Sequence, residues 1–97
     1  MQTAYNTNQS NHTKLLNTIE EYKNSESKLK DVTLSSKERA DAEYEHNRMV
    51  ANMISDYNLQ EGDYSRVGNQ LIVSQQALNN ITDASQERVN ASRAAAD

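Results

Sequence analysis

Cysteine, proline, tryptophan and phenylalanine are all missing from this chain of 97 residues, and glycine occurs only twice. Each shortage excludes something. Without cysteine there is no disulfide framework and no thiolate metal site. Without proline, and with glycine so scarce, the chain lacks the residues that enrich linkers and disordered tails. The same scarcity leaves no glycine-rich loop to cradle a phosphate. No apolar run approaches the roughly 20 residues that a membrane-spanning helix needs. The opening MQTAYNTNQS has neither a basic start nor an apolar centre, so it does not read as a signal peptide. A soluble protein is expected, or one exported without a cleaved signal.

Apolar residues are also few. They make up 35% of the chain, against roughly 45–50% in ordinary globular domains. The aromatic residues are five tyrosines. A globule built from this composition would bury little surface and have a weak core. The chain is therefore expected to be elongated or to be completed by partner subunits. What remains is rich in good helix formers together with Asn and Ser, and the fold class expected is all-α.

A formal net charge of −4 is mild. Phosphate binding needs a basic stripe, so neither nucleic acid nor an anionic membrane is expected as a partner. Acidic residues predominate only from Lys37 to Asp63, where Glu38, Asp41, Glu43, Glu45, Asp56, Glu61 and Asp63 outweigh Lys37, Arg39 and Arg48. Such a stretch reads as a solvated helix face.

Along the chain, residues 1–10 are polar and without helical period, and are expected to form a flexible arm ahead of a single helical domain, 11–97. Leu15, Ile19, Tyr22, Glu26 and Leu29 then step by four and three, the stripe of an amphipathic helix over about 11–31. Val32 to Ser35 form the best break. Ser, Thr and β-branched residues compete there with helical hydrogen bonding, and Ser35 with Glu38 fits a capping box. A seam through His46, Val50, Met53 and Tyr57 follows. Leu15, Ile19, Tyr22 and Leu29 are expected to pack against Val50, Met53 and Tyr57 as the core of a helical hairpin.

The stretch MISDYNLQEGDYSRVGNQL decides the rest. The steps of four and three continue from Tyr57 through Gln60, Tyr64, Val67, Leu71, Ser74, Leu78, Ile81 and Ser85 without losing phase at Gly62. A turn has no obligation to keep that register, and one glycine costs a helix only about 1 kcal/mol. The phase predicts a continuous helix over about 36–95, roughly 90 Å long. The folded-back first helix would cover it only to about Tyr57. Tyr64, Val67, Leu71, Ile72, Leu78 and Ile81 would then stand uncovered and form an assembly interface, giving an oligomeric coiled coil. The alternative is a compact three-helix bundle with a turn at Gly62, where Gly62 ends one helix and Asp63 caps the next.

Chemical motifs are sparse. Glu43 and His46 form Glu-x-x-His, which sets a carboxylate and an imidazole on one helix face. Di-metal bundles need several such ligands from different helices, and this chain has one other histidine, His12. His46 is read as a seam residue. No serine lies in a glycine-flanked elbow, and Tyr57 and Tyr64 sit among acidic rather than basic residues, unlike a base-stacking platform. No enzyme, cofactor, metal or small-molecule substrate is expected.

The segment MISDYNL, Met53 to Leu59, resembles the start of the C-terminal helix in inner-rod and needle subunits of type III secretion systems, which are small helical proteins that assemble into hollow filaments. The chain departs from them after Leu59 and lacks the proline-containing turn of needle subunits. The resemblance implies a helix beginning near Met53 and a subunit that assembles.

The expected function is thus structural: a non-enzymatic subunit that forms homo-oligomers through its long helix inside a larger complex such as a virion or secretion apparatus. The alternative is a monomeric adaptor or chaperone-like module that binds another protein's helix.

Overall fold

A computed structural model of the chain describes residues 2–96, with the side chains of residues 4–94. Three helices and a two-stranded hairpin follow in the order α1 (Gln2–Leu29), α2 (Ser36–Asp56), β1 (Tyr64–Val67), β2 (Gln70–Val73) and α3 (Gln75–Ala96). α1 is central, and α2 and α3 both pack against it. The fold is mostly helical, as expected. The single helix over 36–95 is not formed: α2 and α3 occupy its two ends and a β-hairpin its middle.

The start of the molecule differs as well. α1 begins at Gln2 rather than near Asn11, because the seam of α1 continues backwards from Leu15 in polar residues. His12 Nδ1 lies 2.8 Å from Ser85 Oγ, Asn8 Nδ2 donates to the Arg88 carbonyl at 3.3 Å, and Arg93 donates to the Tyr5 hydroxyl at 3.0 Å while stacking over its ring. These rungs pair the first half of α1 antiparallel with the last half of α3. Apolar periodicity could not register them.

The first turn forms where the sequence placed it. Ser35 Oγ accepts the Glu38 N–H at 3.1 Å and Glu38 Oε1 accepts the Ser35 N–H at 3.2 Å, completing the capping box. Arg39 reaches back to donate to the carbonyls of Leu29 and Asp31, each at 2.7 Å, which satisfies the open end of α1.

The end of α2 turns on Asn58, not Gly62. Asn58 is left-handed, with φ 52, and Leu59 N–H bonds the Ile54 carbonyl at 3.0 Å. That six-to-one closure is a Schellman motif, and Leu59, at 7% exposure, supplies its usual apolar contact with the last turn. Met53–Leu59 is therefore the end of a helix, whereas the resemblance to secretion subunits placed it at a start. Gly62 follows in a separate tight turn. Its φ is +100, and Asp63 N–H bonds the Gln60 carbonyl at 2.9 Å, the pattern of a type II turn with glycine at its third position.

β1 and β2 pair antiparallel, Tyr64 opposite Val73 and Val67 opposite Gln70, around Gly68-Asn69. Gly68 has φ +62 and Asn69 is not in the positive region, the signs of a type II′ turn. Pleating sends Tyr64, Leu71 and Val73 toward the helices, and Val67 and Ile72 to the other face. Ser74 then caps α3, its Oγ accepting the Ala77 N–H at 3.1 Å.

The core lies where the three helices overlap and includes Tyr22, Val50, Met53, Leu59, Val73, Ala77 and Leu78. The whole is elongated, 54 × 24 × 17 Å.

Candidate interaction surfaces

The most developed polar constellation is internal. In the hairpin register, Leu71 and Val73 turn their backbone groups away from β1. An open strand edge invites pairing with another chain, and here the helices close it with side chains. Asn47 Oδ1 accepts the Leu71 N–H at 2.9 Å, and His46 Nε2 donates to the Leu71 carbonyl at 2.7 Å. The Tyr22 hydroxyl accepts the Val73 N–H at 2.9 Å and shares its own proton between Glu26 Oε2 at 3.1 Å and the Val73 carbonyl at 3.4 Å.

His46 is fully buried. Its ring leans on Tyr22, with centroids 5.3 Å apart. A carbonyl can only accept, so Nε2 carries the proton, and Nδ1 accepts from Ser25 Oγ at 3.0 Å in the neutral ring. Both nitrogens are committed to holding α1, α2 and β2 together. Glu43, its partner in the Glu-x-x-His motif, is half-buried on α2. Among the described residues no three His, Asp or Glu side chains gather as a metal ion would require, and no buried side-chain polar atom lacks a hydrogen bond.

Burial in this side-chain latch on the open edge of β2 raises the Tyr22 hydroxyl to a pKa of about 12, the desolvation outweighing the Val73 N–H that favours the phenolate, with the nearby Glu26 carboxylate adding to the rise. At the α1–α2 turn, Asp31 is held below the usual carboxylate range by the Thr33 hydroxyl and N–H, and Glu38 by its capping bond with Ser35.

The expected core residues Leu15, Tyr22, Leu29, Val50 and Met53 are buried, and Ile19 and Tyr57 pack at the core's margin. The expected assembly residues do not form one surface. Leu78 is 3% exposed inside the core, and Tyr64, Leu71 and Ile81 pack against it. Val67, at 62% exposure, and the half-buried Ile72 remain on the outer face of the hairpin. The heptad count required one uncovered helix face, and the chain instead spends most of those side chains on its own interior.

Two clefts open among the described residues. One, of ≈ 520 Å³, runs between α1 and α3 over Leu16, Ile19 and Leu78, with Lys23 and Asp83 on its rim. The other, of ≈ 460 Å³, is polar and lies between the end of α2 and the α1–α3 seam, among Asn8, Asn11, Lys14, Asp56 and Arg88. Sequence reasoning missed the first: the α1 stripe runs through Leu15 and Ile19, whereas the neighbouring Leu16 is 44% exposed. It missed the latch too, although Gly-Asn between two apolar runs was an available hairpin signal. No helix among the described residues is long and apolar enough to cross a membrane. Comparison of the chain with protein-family models, curated proteins and solved structures finds no match.

Proposed function

We propose that this protein is a non-enzymatic assembly subunit that works by binding protein chains, copies of itself first among them, inside a larger complex. One observation carries the reading: too much surface is left in water for a chain of this size. A compact monomer of 11.0 kDa exposes about 5,600 Å², whereas this one exposes 6692 Å². Its radius of gyration is 16.0 Å, against about 12.5 Å for a compact domain of the same length. The surplus of about 1,100 Å² is similar to the ~800 Å² that each partner contributes to an ordinary stable interface.

The proposal keeps self-assembly and moves it off the long helix. The inward-facing polar groups support it indirectly: Tyr22, His46 and Asn47 are engaged in holding the hairpin, and Ser25 in holding His46. Sedimentation equilibrium over a wide concentration range tests it, an association above the monomer mass being expected. A second reading is an adaptor that seats another protein's amphipathic helix, favoured by the exposed Leu16 at a cleft that Ile19 and Leu78 also line. A strictly monomeric chain that pulls down a helical partner would favour that reading.

A further inference from the structure

The self-association proposed above needs a surface, and the cleft between α1 and α3 has the chemistry of one that meets its own copy. Leu16, Ile19 and Leu78 line it beside the polar Gln75, Asn79 and Thr82, and no residue of α2 or the hairpin does. The two helices run antiparallel. Tyr22 meets Val73 at one level and His12 meets Ser85 at another. That offset places Lys23 at the end of the cleft where α3 begins, and Asp83 at the opposite end. Both are exposed. Among the described residues neither has an ion-pair partner within its own chain.

A two-fold axis brings the same patch of two copies together, so the patch must attract itself. Apolar residues at its centre do so by burial. Charges do so only if opposite signs stand at positions the axis exchanges. Lys23 and Asp83, one at each end of the cleft, meet that condition. The geometry points to a homodimer in which the α1–α3 clefts face each other, with Leu16 and Ile19 buried at the centre and Lys23 of each copy paired with Asp83 of the other. This inference rests on the self-assembly reading.

The experiment is sedimentation equilibrium on the full chain beside Lys23→Asp, Asp83→Lys, the double substitution and Leu16→Asp, with circular dichroism confirming equal helicity. Each single charge reversal is expected to weaken dimerisation about tenfold, since two pairs become two repulsions. The double substitution is expected to restore it. An equimolar mixture of the two single variants is expected to dimerise like the unaltered chain, because one copy then carries two acidic groups on this face and the other two basic ones. Leu16→Asp is expected to weaken it about a hundredfold. If the unaltered chain associates and all variants match it, the interface lies elsewhere: the inference fails and self-assembly stands. If the single reversals weaken association and neither the double variant nor the mixture recovers it, the two-fold pairing is wrong. If the unaltered chain is monomeric at every concentration, both fall.

Discussion

The Tyr22 hydroxyl accepts a hydrogen bond from the Val73 N–H at 2.9 Å, joining residues 51 apart in sequence. Through this contact the central helix reads out whether the hairpin is in place. With His46 and Asn47 on Leu71, it replaces the third strand that a two-stranded ribbon would otherwise need.

Removing the hydroxyl should therefore cost more than one ordinary hydrogen bond. Tyr22→Phe keeps the ring and leaves the Val73 N–H buried without a partner, a loss of about 1–3 kcal/mol in urea unfolding. The same variant has a pH signature. The folded Tyr22 holds its proton up to about 12, whereas an unfolded tyrosine releases it near 10. Between those values the native state binds more protons, so stability falls as pH rises. The stabilisation is complete below pH ~10 and declines by about 1.4 kcal/mol per unit toward pH ~12. Tyr22→Phe should lose this part of the alkaline slope.

His46 is predicted to carry a proton on Nε2, the nitrogen that donates to the Leu71 carbonyl. Long-range ¹H–¹⁵N correlation spectra check this directly, and an Nε2 without a proton would contradict the hydrogen bond to Leu71. His46→Ala should destabilise by about 3–5 kcal/mol, because it opens a cavity and strands the Leu71 carbonyl and the Ser25 hydroxyl. Ser25→Ala should cost only about 1 kcal/mol.

Gly62→Ala separates the observed turn from a continuous helix by its sign. No atom lies within 4 Å of the added Cβ, but φ is +100, a region an L side chain enters at a cost of about 1–3 kcal/mol. Alanine in a helix would instead stabilise by about 1 kcal/mol relative to glycine. Thermal unfolding of the variant is expected to show a lowered midpoint.

How far the sequence could be read follows from which groups make each element. The α1–α2 turn was legible because its signals are local: Ser35, Glu38 and the Val32–Thr33 break act within one turn of chain. The burial of Leu15, Tyr22, Leu29, Val50 and Met53 was legible from apolar periodicity that burial rewards, and Tyr22 joins Val50 and Met53 in the core. The hairpin was hidden by an accident of spacing. Residues at Tyr64, Val67, Leu71 and Ser74 keep heptad steps, yet Leu71 and Val73 face inward with the period of two of a strand, and Ser74 is a cap. Asn58 ended α2 through a left-handed conformation that glycine more commonly supplies, so attention to Gly62 missed it. The α1–α3 seam was illegible for a different reason: Tyr5, Asn8 and His12 hold it by polar contacts that leave no hydrophobic stripe. The cleft over Leu16 depends on where α3 lands, which no local pattern specifies.

The capping box gives a prediction at acid pH. Ser35→Ala should cost about 1 kcal/mol of stability, and the Glu38 carboxyl should rise toward its ordinary range because the hydroxyl–N–H arrangement that orders it is lost. Glu38 titrates lower in the folded chain than in the unfolded one, so its contribution is present above the unfolded value and disappears as pH falls through the folded one. Carboxyl chemical shifts followed from pH 7 to 2 check both statements, with Asp31 as a control that keeps its bonds to Thr33.

Leu78 and Val67 test the division between interior and surface most directly. A single helix seam would place both on one face and treat their substitution alike. Here Leu78 is 3% exposed in the core and Val67 is 62% exposed on the outer side of the hairpin. Leu78→Asp buries an unpaired carboxylate between α1 and α3 and should cost more than about 4 kcal/mol, enough to unfold a small domain. Val67→Asp leaves its charge in water and should change stability by less than about 1 kcal/mol. Circular dichroism with urea titration of the two variants distinguishes the cases. If both unfold the chain, the outer face of the hairpin is buried. If neither does, Leu78 is not in the core.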